Sequence, residues 1–314
     1  MNFVEQEIVI RTGEDNDPGI PISIGSPLLN RLERTVVPCV RMAFTGRSTR
    51  VGQPPKWMRA AWDFRAIGFE HRNGDTILRV AAPTLGEAAP RVFEQQNLWQ
   101  ETVRPTETAL DLFGKLVEDV RSQSSNSDTY DDPLLQKLTD WHGLFETKVK
   151  AIRLPTAAHM STGAELDETV VMGARTLSSR IPVPRQIRLV GKIDMVRWST
   201  RSMAIRAEDG TEYRCAVVGE DIGDLGQYGG REVTILGKAI YRPTGTVLRL
   251  DVQQILDTTV GRRAYSEIPA SFENRRELDR RKQTNRNGVS AVFGSWPGEE
   301  SDEELLAGLA DVRR

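Results

Sequence analysis

Residues 184–257 restrict the folding choices of this chain more than any other stretch. Five runs rich in β-branched and aliphatic residues occupy positions 186–198, 201–207, 212–218, 232–241 and 247–255. Apolar and polar side chains alternate along them, which is the period of a strand with one buried face. Glu208-Asp-Gly-Thr211 and Arg242-Pro-Thr-Gly245 separate two pairs of runs with turn-forming residues. A longer polar stretch at 219–229, expected to be helical, stands between the third and fourth runs. Three strands, a helical connection and two strands is the order of a five-stranded OB-like barrel, with an SH3-like barrel as the alternative.

The rest of the chain reads as α+β. Residues 1–104 are expected to form a β-rich N-terminal domain. Ser26-Pro27 suits a helix start through about residue 34, residues 36–44 read as a strand, and Pro55 opens a second short helix. Asn73-Gly74 between two apolar runs predicts a hairpin over 64–81. Residues 105–181 are expected to be a helical region. Ala109, Leu110, Phe113, Leu116, Val117 and Val120 share one face, and Leu134, Leu138, Trp141, Leu144, Phe145 and Val149 another. Trp141 and the phenylalanines are expected in the core. Residues 258–290 are polar enough to serve as a linker, because Leu278 and Val289 alone interrupt 273–290.

The 314-residue chain has a formal net charge of −2, which gives no bulk attraction to nucleic acid or to a membrane surface. Its start lacks the basic and apolar segments of a signal peptide. The two cysteines, Cys39 and Cys215, lie far apart within apparent strands, and reduced buried thiols in a cytoplasmic protein are the expectation. His71, His142 and His159 have no partner at metal-ligand or nucleophile–base spacing, and no phosphate loop or dinucleotide fingerprint occurs. Asp128, Asp131 and Asp132 form an acidic group that could hold a metal, but Asp132 before Pro133 is explained by helix capping. We therefore expect a non-enzymatic protein without a cofactor. Arg188, Lys192, Arg206, Arg214, Lys238, Arg242 and Arg249 lie on the barrel runs or their turns, and Trp198, Tyr213 and Tyr241 could stack bases. Acidic residues nearly balance them, so nucleic-acid binding through the barrel and the basic linker is the alternative function.

The stretch 291–314 has the form of a partner-binding tail. Ser301 and Glu304 make a capping box, and Asp302, Glu303 and Glu304 suit the positive end of the helix dipole. Leu305, Leu306, Leu309 and Val312 form an apolar stripe, Arg313 and Arg314 suit the C-terminal end, and Trp296 offers an anchor. A helix this short needs a surface to bury that stripe, either on its own domain or on a partner.

The sequence Gly294-Ser-Trp-Pro-Gly-Glu-Glu-Ser-Asp-Glu-Glu-Leu-Leu306 resembles the C-terminal tails of bacterial antitoxin-like proteins paired with PIN-domain ribonuclease toxins. The resemblance covers about 20 residues; such antitoxins are usually short and begin with a DNA-binding module, which residues 1–260 do not resemble. It implies a tail that wraps a partner nuclease, with Arg313 and Arg314 positioned to enter its acidic metal centre. Bidentate guanidinium–carboxylate pairing would then compete with the nuclease metal.

Overall fold

The structure, a computed structural model, describes residues 3–12, 19–49, 53–94, 103–155, 163–219 and 225–257. The chain divides into Met1–Phe272 and Glu273–Arg314. The linker at 258–290 and the tail at 291–314 lie outside the described residues.

Five antiparallel strands form the N-terminal sheet in the order β2-β3-β1-β4-β5: β1 (Phe3–Thr12), β2 (Arg65–Arg72), β3 (Asp75–Pro83), β4 (Val149–Leu154) and β5 (Ala164–Asp167). The expected hairpin is β2–β3. Asn73 and Gly74 both take positive φ, at 54° and 85°, the geometry for which an Asn-Gly pair is suited. Because β4 pairs with β1, the sheet crosses the expected boundary near residue 104, and described residues from both sides of it share one core.

Helices α1 (Ile22–Thr45), α2 (Lys56–Ala61), α3 (Leu85–Ala88), α4 (Pro90–Glu94), α5 (Ala109–Arg121), α6 (Asp132–Thr139), α7 (His142–Phe145) and α8 (Glu168–Arg180) complete this layer. The expected strand at 36–44 is corrected: α1 runs unbroken through it with Pro27 and Pro38 inside. Leu28, Leu32, Thr35, Val36, Cys39 and Val40 are buried at helical spacing. Their packing overrides the β preference of Val36 and Val37 and the hydrogen bond that Pro38 cannot donate. Cys39 is thus helical. The helix stops at Gly46, whose left-handed φ of 69° lets its N–H reach the Met42 carbonyl at 2.8 Å.

The helix expected over 133–149 is also split, into α6, α7 and the start of β4. Trp141, between the two helices, is fully buried 5.8 Å from the Phe113 ring, as expected of a core aromatic. Its Nε1 donates to Thr35 Oγ1 at 2.9 Å, which satisfies the one polar atom that its burial would strand.

The barrel contains β6 (Arg185–Arg197), β7 (Ser202–Ala207), β8 (Glu212–Val217), β9 (Glu232–Tyr241) and β10 (Val247–Asp257), with a 3-10 turn at Leu225–Tyr228 before β9. It closes in the order β10-β8-β7-β6-β9. The first strand pairs with the second and the fourth, and the third lies parallel to the fifth. This Greek-key closure is the OB-like one of the two expected barrels. Closure brings backbones into contact at glycine: a Cβ on Gly237 would lie 2.1 Å from the Asp251 carbonyl oxygen. Leu189, Ile193, Met203, Ile205, Val233, Ile235, Leu250 and Val252 fill the interior. Among the described residues, no helix is long and apolar enough to cross a membrane.

Candidate functional site at the barrel face

In OB-fold barrels, ligands meet the face of the second and third strands between the first-to-second and fourth-to-fifth loops. Here that face comprises β7 and β8, and the loops are residues 198–201 and 242–246. Alternation sends Met203, Ile205, Cys215 and Val217 inward and Ser202, Ala204, Arg214 and Ala216 outward. Yet the outward Ala204 is 0% exposed and Ala216 only 5%, so the chain itself covers this face. Leu248 and Ile240, from the neighbouring strands, pack into the core of the N-terminal layer.

Two aspartates at the start of the α6 region fasten the contact. Asp128 accepts from Arg214 Nη1 at 2.9 Å and from Arg242 Nε at 3.1 Å, and Arg242 Nη2 also donates to it. Arg242 lies in the fourth-to-fifth loop, so the pair fixes that loop to the helical layer. Asp131, with its side chain 0% exposed, pairs with Arg249 Nη2 at 3.1 Å. It also accepts from the Ser48 N–H at 3.2 Å and from the Ser48 hydroxyl, and it caps α6 through the Leu134 N–H. Arg249 Nε turns instead to Asp251 Oδ1 at 2.8 Å.

The acidic group seen in the sequence is thereby separated into three jobs. Asp128 and Asp131 hold barrel arginines, and Asp132 accepts from the Ser178 hydroxyl and, at 2.8 Å, from Gln136. The cap is Asp131 rather than the expected Asp132. Among the described residues, no group of three His, Cys, Asp or Glu side chains is placed to hold a metal ion. His142 lies between Glu168, 2.8 Å from Nδ1, and Glu146, 3.3 Å from Nε2, at the surface of the helical layer.

A cavity of about 150 Å³ remains at the seam. Met42 and Phe44 of α1, Val92 and Phe93 of α4, Met203 and Leu248 supply apolar lining. Arg197, Ser202, Arg214 and Arg249 add polar groups on the barrel side, and Asp128 adds one from the helical layer. Cys215 also lines it, but burial, reinforced by the negative charge of Asp251, pushes its thiol well above the usual range. The thiolate needed for nucleophilic chemistry is therefore disfavoured there.

The basic and aromatic residues expected to contact nucleic acid do not converge. Tyr241 is 2% exposed inside the barrel and offers no stacking face, which corrects that expectation. Arg206 lies beside Asp194 at 3.0 Å and Glu212 at 4.0 Å, and Arg214 is held by Asp128. Arg188 is half-buried on β6; Lys192 and Lys238 are exposed on β6 and β9. Trp198 stands 50% exposed in the first-to-second loop. Trp296, Leu305, Leu306, Leu309, Val312, Arg313 and Arg314 lie outside the described residues. What the sequence did not single out is the pairing of Asp128 and Asp131 with the barrel arginines. Compared with protein-family models, curated proteins and solved structures, the chain matches none.

Proposed function

We propose that this chain is a non-enzymatic, antitoxin-like interaction protein that binds and restrains a partner nuclease through residues 291–314. The α+β layer and the barrel act as the platform that carries this segment. The observation that carries the reading is the covered barrel face. Ala204 and Ala216 are buried and Arg214 and Arg242 are paired with Asp128, so the surface that would serve nucleic acid is engaged within the chain. Recognition then falls to the tail, where Trp296 and the stripe Leu305, Leu306, Leu309 and Val312 supply apolar area. Arg313 and Arg314 supply the charges suited to a carboxylate-rich nuclease centre.

The test is affinity capture from the native host with the full chain and with a chain truncated after residue 285. A nuclease recovered only by the full chain, and retained at high salt, is the expected result. Equal recovery by both chains would remove the tail from the account. Steeply salt-sensitive capture of nucleic acid would favour the alternative reading instead. Given a captured nuclease, Arg313→Glu with Arg314→Glu should release its activity while the complex persists; unchanged inhibition refutes the charge contact.

A further inference from the structure

The seam cavity carries a separate inference that does not depend on the tail. Its lining combines apolar side chains, from α1, from α4 and from Met203 and Leu248 of the barrel, with three barrel guanidinium groups and the Asp128 carboxylate of the helical layer. Asp128 is already occupied by Arg214 and Arg242. Arg249 is 6% exposed, and two of its nitrogens are taken by Asp131 and Asp251. Its third, Nη1, is buried without a hydrogen-bond partner among the described residues. An unsatisfied buried donor on a charged group is costly, and an incoming anion would relieve that cost. Ligand pockets also favour seams between layers, where a few polar groups orient a ligand held mainly by apolar contact.

From this mixed lining and the unsatisfied Arg249 Nη1 we propose that the cavity binds a small monocarboxylate with a compact apolar or aromatic body. The body packs among Met42, Phe44, Phe93 and Leu248, and the carboxylate meets the Arg197–Arg249 side. The volume of about 150 Å³ fits a ligand of benzene size, with its carboxylate directed at the Arg249 guanidinium. Inorganic phosphate would use the guanidinium groups and leave the apolar half empty. A neutral isostere would do the reverse.

Benzoate, benzyl alcohol and inorganic phosphate are the probes, added to the full chain at millimolar concentration. Binding is read by the rise in unfolding temperature and by ligand-observed saturation-transfer NMR. Benzoate should bind, with benzyl alcohol about tenfold weaker because it lacks the charge-assisted bond. Ala43→Leu, at a half-buried lining position of α1, should fill the cavity and abolish benzoate binding without lowering the ligand-free unfolding temperature. Arg249→Lys, which keeps a charge beside Asp131 but loses the planar fork, should weaken benzoate by a similar factor. No benzoate binding, equal binding of benzyl alcohol, phosphate binding as tight as benzoate, or full binding by the Ala43→Leu chain would each overturn the proposal.

Discussion

Replacing Asp131 by alanine tests the joint between the barrel and the helical layer. In the folded protein its carboxylate is 0% exposed and the Arg249 side chain 7% exposed, so solvent screens the pair little. Removing one partner of a buried pair costs about 3–5 kcal/mol, because the remaining charge is left without its counterion. Loss of the α6 cap adds about 1 kcal/mol. Asp251 still holds Arg249 Nε at 2.8 Å and offsets part of this sum. The expected loss is therefore about 4 kcal/mol, which lowers the unfolding temperature by roughly 8–16 °C in a folded region of this size. Urea titration followed by circular dichroism gives the free energy, and Asp131→Asn separates the contributions. The amide keeps an acceptor for Ser48 and for the cap but removes the charge. Exchanging both partners, as Asp131→Leu with Arg249→Met, should recover most of the loss. A change below about 1 kcal/mol in the alanine variant would refute the buried pair as the fastening of the barrel.

Three further outcomes follow from the packing. Gly237→Ala should cost about 2 kcal/mol or more by the same titration, because the new methyl meets the Asp251 carbonyl rather than a movable side chain. Burial holds the Cys39 and Cys215 thiols well above their usual range, with Asp131 and Asp251 adding to it, so a colorimetric thiol reagent should react slowly with the native chain and rapidly in denaturant. Burial also raises the Asp111 carboxyl above its ordinary 3.8, outweighing its bonds to the Thr108 N–H and hydroxyl. The native state then binds more protons than the unfolded state just above that value, and this contribution to stability falls as pH rises through the window. Wild type should therefore hold a larger advantage over Asp111→Asn at about pH 4 than at about pH 7, as read from urea midpoints.

The barrel could be read from sequence because each strand carries its own signal. Alternation marked the runs, and Glu208-Asp-Gly-Thr211 and Arg242-Pro-Thr-Gly245 marked the turns; observed strand ends fall within about two residues of those expected. The β2–β3 hairpin was legible for the same reason, since Asn73-Gly74 carries its geometry locally. Helix α1 was misread because Pro27, Val36, Val37 and Pro38 argue locally against a helix, and only packing against the core decides the matter. The seam was invisible because Asp128 and Arg242 are 114 residues apart and nothing near either one announces the other. Arg249 looked like one more half-solvated strand arginine, whereas it is 6% exposed and holds the buried Asp131.

The late position of β10 has a consequence during synthesis. The N-terminal sheet has all its strands once Asp167 leaves the ribosome, but the barrel cannot close before β10, ending at Asp257, pairs with both β8 and β9. At ordinary translation speeds the intervening ~90 residues take roughly 5–20 s to emerge. Until the closed barrel presents them, a nearly complete layer waits with Asp128 and Asp131 not yet joined to their guanidinium partners and with the seat of Leu248 open to water. The nascent chain is then a natural client for chaperones that shield apolar surface, and a ribosome stalled before residue 247 would release a product whose exposed seam favours aggregation.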